Sequence, residues 1–178
     1  MRLLLFPLFL LVLVLSTRFI PHWPNFTAVG AIAFAGLNIY RPTLKSWVLS
    51  MLALYLSDVI INNTLYGYAS EGFSWFYQGM GFVYLAYAGM GLMGWLSRQN
   101  TSWVHQSLFA SLASLFFFAL SNFGAWIGNP LYTQDSAGLM TALVAGIPFG
   151  FNFLVSTVLY AAVLRWVQQR VPSLSLAN

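Results

Sequence analysis

Charge is the scarcest property of this sequence. Only 6% of its 178 residues are Asp, Glu, Lys or Arg, whereas a soluble domain carries about 25%. Seven basic and three acidic residues are too few to give a soluble chain of this size a polar surface. The seven basic residues are also too scattered to follow a phosphate backbone. The composition therefore excludes a soluble globular domain and argues against a nucleic-acid partner.

Cysteine is absent, which excludes disulfides, thiol catalysis and cysteine-ligated metals. The sequence also lacks the P-loop, the zinc-protease motif, the serine-hydrolase motif and the dinucleotide-binding glycine pattern. We therefore expect a protein that is not an enzyme, with no catalytic residues, no metal site and no cofactor. A membrane enzyme acting at the outer surface stays a weaker alternative.

Apolar residues are abundant instead: 60% of the chain is hydrophobic and 18% is aromatic. A membrane-spanning helix needs about 20 mostly apolar residues, and six stretches approach that length. We predict an all-α fold, a single six-helix transmembrane domain over residues 1–178 that resides in a lipid bilayer. The predicted spans are residues 3–20, 26–40, 47–61, 79–96, 104–122 and 138–167. The first also resembles a signal peptide, but no small-residue cleavage site follows it.

The basic residues predict an orientation. If the N-terminus lies in the cytoplasm, six of the seven fall on the inner side, as the positive-inside rule requires. These six are Arg2, Arg41, Lys45, Arg98, Arg165 and Arg170. The acids Asp58, Glu71 and Asp135 then lie at or beyond outer helix ends. We expect a multi-pass protein of the bacterial cytoplasmic (inner) membrane with both termini inside.

Uncharged polar and aromatic residues gather on the predicted outer side. The outer loops, 62–78 and 123–137, are longer than the inner ones and rich in aromatic residues, which predicts a folded cap over a solute pocket. The candidate substrate-binding residues are Arg18, His22, Asn25, Asp58, Tyr77, Gln78, Tyr84 and Asn122.

The link after the first span holds His22 between Pro21 and Pro24, which keep the chain extended. Asn25 or Thr27 can cap the next helix. With Arg18 on the same side, this arrangement is typical of an anion or metal-ligand environment. The alternative is an Arg and a His that simply lie among lipid headgroups.

Asp58 is the only acid inside a predicted apolar helix, and burying its charge in a membrane is costly. It should therefore face the protein interior or water, either to bind solute or to pair with Arg18. The alternative is a purely structural ion pair near the interface.

Other candidates have equally open interpretations. Asn122 either contacts ligand or ends a helix before Gly124. Tyr84 and Tyr87 share one helix face with Gly91, as core packing or as a binding surface. Met80 fills a gap in the core or approaches a metal.

Two further positions carry packing hypotheses. Asn152 follows Pro148 by four residues, and we expect it to repair the hydrogen bonding that a proline breaks. Ala31 and Ala35 permit close helix approach, either within the chain or against another membrane subunit.

The run from Arg18 to Gly36, RFIPHWPNFTAVGAIAFAG, resembles the start of an uncharacterised family of small bacterial membrane proteins. That pattern is R-x-x-P-H-x-P-N-F-[ST] followed by an Ala/Gly-rich helix. Later agreements are Ser57-Asp58, the stretch 122–126, and residues 131–133, 138–139 and 147–149. The family has an acid in its last helix, where this chain has Ser156 and Thr157.

In size, six-helix layout and outward polar cluster, this family is similar to the substrate-binding S components of energy-coupling-factor (ECF) vitamin transporters. The solitary cobalamin-binding members are closest, with matching positions at Arg18, His22, Asp58 and residues 73–84. The resemblance implies capture of a small vitamin or cofactor-like solute, such as a cobalamin-like one, from the outer face. It also implies an ECF-type energising module, or another membrane subunit, as partner.

One departure limits what the resemblance implies. The solitary cobalamin proteins ligate cobalt through a loop cysteine, and this chain has Tyr77 or Gln78 in that neighbourhood. Cobalt–thiolate chemistry is therefore not implied here. The alternative function is a non-transport accessory subunit of a larger membrane complex, which the Ala31 and Ala35 face favours.

Overall fold

The computed structural model describes residues 2–20, 22–38, 44–65 and 72–170. Over these ranges it is all-helical, as predicted. The helices are α1 (Arg2–Phe19), α2 (Val29–Ala35), α3 (Leu44–Thr64), α4 (Met80–Ser97), α5 (Trp103–Trp126) and α6 (Ser136–Arg170). Glu71, predicted at an outer helix end, and Arg41, predicted inside, lie outside the described residues.

Among the described residues, three helices are long and apolar enough to cross a membrane, namely α4, α5 and α6. A shorter apolar helical stretch, Phe9–Phe19, lies in α1. The charge-poor composition and these three helices together indicate a membrane protein.

The second predicted span is wrong as a regular membrane-spanning helix. Within residues 26–38, only the seven residues of α2 are helical, a length of about 10 Å against a hydrocarbon core of about 30 Å. The apolar composition of this stretch has another cause, because all seven residues are buried inside the protein.

Helix α2 is the centre of the bundle, in contact with α3, α4, α5 and α6. Small residues allow this. A Cβ on Gly94 of α4 would lie 2.1 Å from the carbonyl oxygen of Phe34, and one on Gly30 would lie 2.1 Å from Thr157 Oγ1. Ala31 and Ala35 are buried, so they pack within the chain and present no surface to another subunit.

Three stacked aromatic rings join the long helices. The Tyr87 ring of α4 lies 5.0 Å from Phe117 of α5, which lies 4.3 Å from Phe153 of α6, and both pairs are nearly parallel. Tyr84 contacts Tyr87 edge-on at 5.5 Å, which confirms that they share a helix face. Helix α1, by contrast, packs mainly on α3.

Polar clusters lie at the two ends of the bundle. Arg18, Asp58 and Tyr84 meet at one end. At the other end Asn38 donates to Gln106 and, at 3.2 Å, to Ser97, while Arg165 donates to the Thr101 carbonyl at 2.7 Å. Arg18 and Arg165, which the sequence analysis places on opposite sides of the membrane, thus belong to different clusters.

Asp135 caps α6. Its carboxylate accepts hydrogen bonds from the Gly138 N–H and the Thr133 hydroxyl, both at 2.8 Å. These bonds favour the ionised form and hold the pKa of Asp135 below its ordinary value. The carboxylate therefore stabilises the start of α6 above the ordinary pKa, and this stabilisation is lost as the pH falls through the lowered pKa.

Replacing Asp135 with Asn should remove this pH dependence while keeping a capping oxygen, because Asn and Asp cap helices about equally well. We expect wild type to lose more thermal stability than Asp135→Asn when detergent-solubilised protein is acidified from neutral pH. The measurement is the apparent melting temperature, with Asp135→Ala as the control that lacks the cap at every pH. Equal acid sensitivity of wild type and Asp135→Asn would contradict the assignment.

The close approach of α2 and α4 predicts a cost for any side chain at Gly94. Gly94→Ala should destabilise the protein by about 1–3 kcal/mol, because the added methyl overpacks against Phe34. Gly81→Ala is the matched control in the same helix, since its Cβ would meet nothing within 4 Å. Unfolding of both variants in detergent measures the difference, and equal stability would contradict the packing account.

Candidate functional site

A buried ion pair ties α1, α3 and α4 together. Arg18 Nη1 lies 2.6 Å from Asp58 Oδ1 and also donates to Ser57 Oγ at 2.6 Å. The Tyr84 hydroxyl donates to Asp58 Oδ2 at 2.7 Å. Asp58 is only 4% exposed, so its charge needs these partners. Three candidate site residues predicted from the sequence, on three helices, are thus in direct contact.

Beside this pair lies a cavity of about 80 Å³, here called the polar chamber. Its polar wall consists of Arg18, His22, Asn25 and Thr27, and its apolar wall of Val29, Tyr87, Phe117 and Phe153. The chamber therefore combines hydrogen-bonding side chains with the edges of the stacked rings, which is the usual make-up of a small-molecule pocket.

A second cavity of about 230 Å³, the aromatic chamber, adjoins the first. Both are lined by Asn25, Phe117 and Phe153. The aromatic chamber lies between α5 and α6, with Ser121 and Asn122 as further polar residues and with Phe118 and Phe149 in its wall. Asn25 and Asn122, both predicted site residues, thus share one cavity.

The link that carries His22 and Asn25 is held by α6. Asn152 Nδ2 donates to the Pro24 carbonyl at 3.0 Å, and Asn25 adopts a left-handed φ of 60°, which Asn tolerates better than most residues. The prediction that Asn152 repairs the break at Pro148 is therefore wrong, because this side chain binds the link.

The predicted cap of α2 is wrong as well. The residue at the cap position is Ala28, without a side-chain cap, and neither Asn25 nor Thr27 fills that role. The Ala28 N–H donates instead to Thr17 Oγ1 of α1 at 3.2 Å. Asn25 and Thr27 are left to line the polar chamber.

His22 is fixed by one hydrogen bond. Its Nδ1 lies 2.7 Å from the Trp23 carbonyl oxygen. A carbonyl oxygen only accepts, so Nδ1 carries the proton and Nε2 of the neutral ring is an acceptor. The imidazole can therefore present Nε2 to a bound molecule at the rim of the polar chamber. Among the described residues no three His, Asp or Glu side chains converge as metal ligands.

Tyr77 and Gln78 do not line either chamber. They lie at the start of α4, after a segment that Asn63 of α3 holds through two hydrogen bonds of 2.8 Å with the backbone of Ser74. Tyr77 is half-buried and Gln78 is exposed. The predicted outer cap is thus tied down in its described part, but these two residues lie apart from the cavities.

The sequence does not reveal the aromatic walls of the cavities. Phe117 and Phe153 lie in long apolar helices, where nothing in the sequence separates a cavity-lining Phe from one that faces lipid. The sequence pattern marks Ser57 only as the neighbour of Asp58, although its hydroxyl accepts a hydrogen bond from Arg18. What distinguishes these residues is that they lie close to the link in the folded protein. The order of residues along the chain does not show this.

Removing one partner of the buried pair should be strongly destabilising. We expect Asp58→Ala to cost about 3–5 kcal/mol, because Arg18 would stay buried without its counter-charge. Combining Arg18→Met with Asp58→Leu should recover most of this loss, since neither charge remains. Unfolding of the detergent-solubilised variants measures both effects, and a double variant as unstable as Asp58→Ala would contradict the ion-pair account.

Comparison with known proteins gives a family without an assigned activity. A model described as a family of unknown function, DUF6580, matches residues 1–174. The chain has no match among curated proteins or among solved structures. Because the family model spans nearly the whole sequence, the chain belongs to the DUF6580 family.

Proposed function

We propose that this protein captures a small vitamin- or cofactor-like solute at the outer face of the bacterial cytoplasmic membrane and helps to carry it inward. The observation that carries the proposal is the polar chamber beside the Arg18–Asp58 pair, which shares Asn25, Phe117 and Phe153 with the adjoining aromatic chamber. A pocket with a few placed polar groups and aromatic walls is the usual form of a small-molecule site.

The irregular link supports this proposal. Non-helical backbone at membrane depth is tolerated only where protein buries it or where it lines a water-filled cavity. The link between α1 and α2 lies against the middle of α6, through Asn152, and its residues His22, Asn25 and Thr27 line the polar chamber. A hydrated cavity open to solute accounts for both facts.

The volume of the cavities limits the size of the solute. The two chambers together lie near the lower end of the ~300–1,000 Å³ typical of ligand pockets. That space suits a molecule of one or two rings, whereas a corrin macrocycle is far larger. We therefore do not extend the proposal to a cobalamin-like substrate.

The orientation is part of the proposal. Arg18 near the end of α1 pairs with Asp58 near the end of α3, so these helices run in the same direction and the chain between them must return across the bundle. We propose that the stretch containing helix α2 makes that return, as an interrupted crossing. Six crossings then keep both termini in the cytoplasm, with the chambers towards the outside.

Inward release needs a rearrangement of the bundle, and we propose that an ECF-type energising module or another membrane subunit drives it. The alternative, a non-transport accessory subunit, rested on the face of Ala31 and Ala35. Since both residues are buried within the chain, no described feature now favours that alternative.

Binding of water-soluble vitamins tests the proposal. At least one member of a vitamin panel should bind wild-type protein in nanodiscs, and His22→Ala should weaken its affinity about tenfold, the effect of losing about one hydrogen bond. Isothermal titration calorimetry measures both affinities. His105→Ala is the matched control, because this histidine packs on Phe109 near the start of α5 and lines neither chamber.

The side of binding gives an independent readout. The same vitamin should bind right-side-out membrane vesicles that display the protein and should bind inside-out vesicles only after permeabilisation. Equal affinities of wild type and His22→Ala, or binding from the cytoplasmic side alone, would contradict the proposed site.

A further inference from the structure

A third cavity opens on the outside of the bundle between α5 and α6. This lateral groove has a volume of about 190 Å³ and is lined almost entirely by apolar side chains. Three of them, Leu115, Ile147 and Phe151, are 54%, 56% and 65% exposed. Because α5 and α6 are long enough to cross a membrane, the groove faces the acyl chains of the bilayer.

This groove and the aromatic chamber share part of their lining. Phe118 and Gly150 line both cavities. The Phe118 ring lies directly against Gly150, where an added Cβ would be 2.4 Å from the ring. A ligand that occupies both cavities requires the Phe118 side chain to move aside, so that the chamber and the groove join.

Polarity falls steadily along the three cavities. The polar chamber has four polar side chains, Arg18 among them, and the aromatic chamber has three. The lateral groove has only Ser114, whose hydroxyl already donates to the Ala110 carbonyl of its own helix at 2.8 Å. A ligand that fills all three would need a polar head at one end and an apolar chain at the other.

The charges at the polar end define the head group. Arg18 is neutralised by Asp58 at 2.6 Å, so the polar chamber offers no uncompensated Arg charge to an anion. His22, Asn25 and Thr27 offer hydrogen bonds instead. An uncharged head with hydroxyl, carbonyl or amide groups fits this wall.

From this arrangement we propose that the solute is a one-tailed amphiphile. Its uncharged, hydrogen-bonding head lies in the two chambers, and its apolar tail passes Phe118 and lies in the lateral groove against lipid. This inference rests on the proposed function and names the class of solute that the site takes. Such a molecule partitions into the bilayer and can reach the site laterally as well as from water.

A photoreactive fatty alcohol tests the inference. The probe is 1-hexadecanol with a mid-chain diazirine, incorporated in nanodiscs with full-length protein, and mass spectrometry maps the cross-linked peptides. We expect cross-links at the groove residues of α5 and α6 in wild type. Ile147→Trp, which fills the groove, should reduce them to the level found elsewhere on the lipid-facing surface.

Leu159→Trp is the matched control. Leu159 lies in the same helix, is 49% exposed against 56% for Ile147, and lines none of these cavities. It should leave groove labelling unchanged. Both variants are compared only after their melting temperatures agree, and Leu115→Trp provides a second groove-filling variant from α5.

Whether labelling depends on the residues that would bind the head group distinguishes a specific ligand from bulk lipid. His22→Ala should lower groove labelling by the alcohol, because the head would lose its anchor. Groove labelling that is the same in wild type and His22→Ala, or that is no stronger than labelling around Leu159, would show ordinary lipid contact and overturn the inference.

Different experimental results would contradict this inference and the proposed function. Vitamin binding that depends on His22 but is unaffected by Ile147→Trp would leave solute capture intact and overturn the amphiphile. His22-dependent groove labelling without binding of any water-soluble vitamin would support the amphiphile and contradict capture of a water-soluble solute.

Discussion

The arrangement of the site depends on the compensation of one buried charge. Asp58 lies almost fully buried in α3, and an unpaired carboxylate there would be very costly. Arg18 at the end of α1 and Tyr84 at the start of α4 neutralise and hydrogen-bond it. Because these partners come from two other helices, satisfying one charge brings three helices together and fixes where α1 ends. The C-terminal end of α1 in turn determines where the following link, with His22 and Asn25, lies.

The link and the short helix α2 follow from this anchoring. The link is held from the opposite side by Asn152 of α6, so both of its flanks are fixed and its side chains stay at the chamber wall. Helix α2 then continues into the centre of the bundle, where glycines of α4 let it approach closely. The space left between the link, α5 and α6 is the aromatic chamber. Cavity and ion pair are thus two consequences of the same packing.

The sequence predicted most of the helices because lipid exposure and core burial both require long apolar stretches. The prediction of 79–96 corresponds to Met80–Ser97, and 138–167 corresponds to Ser136–Arg170. The prediction of a full-length helix failed at α2, because an apolar stretch indicates burial but does not indicate how long the helix is. Pairing of Arg18 with Asp58 was among the predicted alternatives, because isolated charges in an apolar chain must find each other. The partner of Asn152 was missed because Pro24 lies 128 residues away in sequence, and no local rule reaches that far.

The shortness of α2 has a consequence for how the chain assembles. Isolated helices below about 12–15 residues are marginal even when their composition is favourable, and α2 has seven residues. It cannot be a preformed unit that inserts by itself, as a full-length hydrophobic segment can. Its helical form therefore depends on its packing against α3, α4, α5 and α6. The middle of this protein is therefore a helix that the assembled bundle holds in place, and not a segment that is stable by itself.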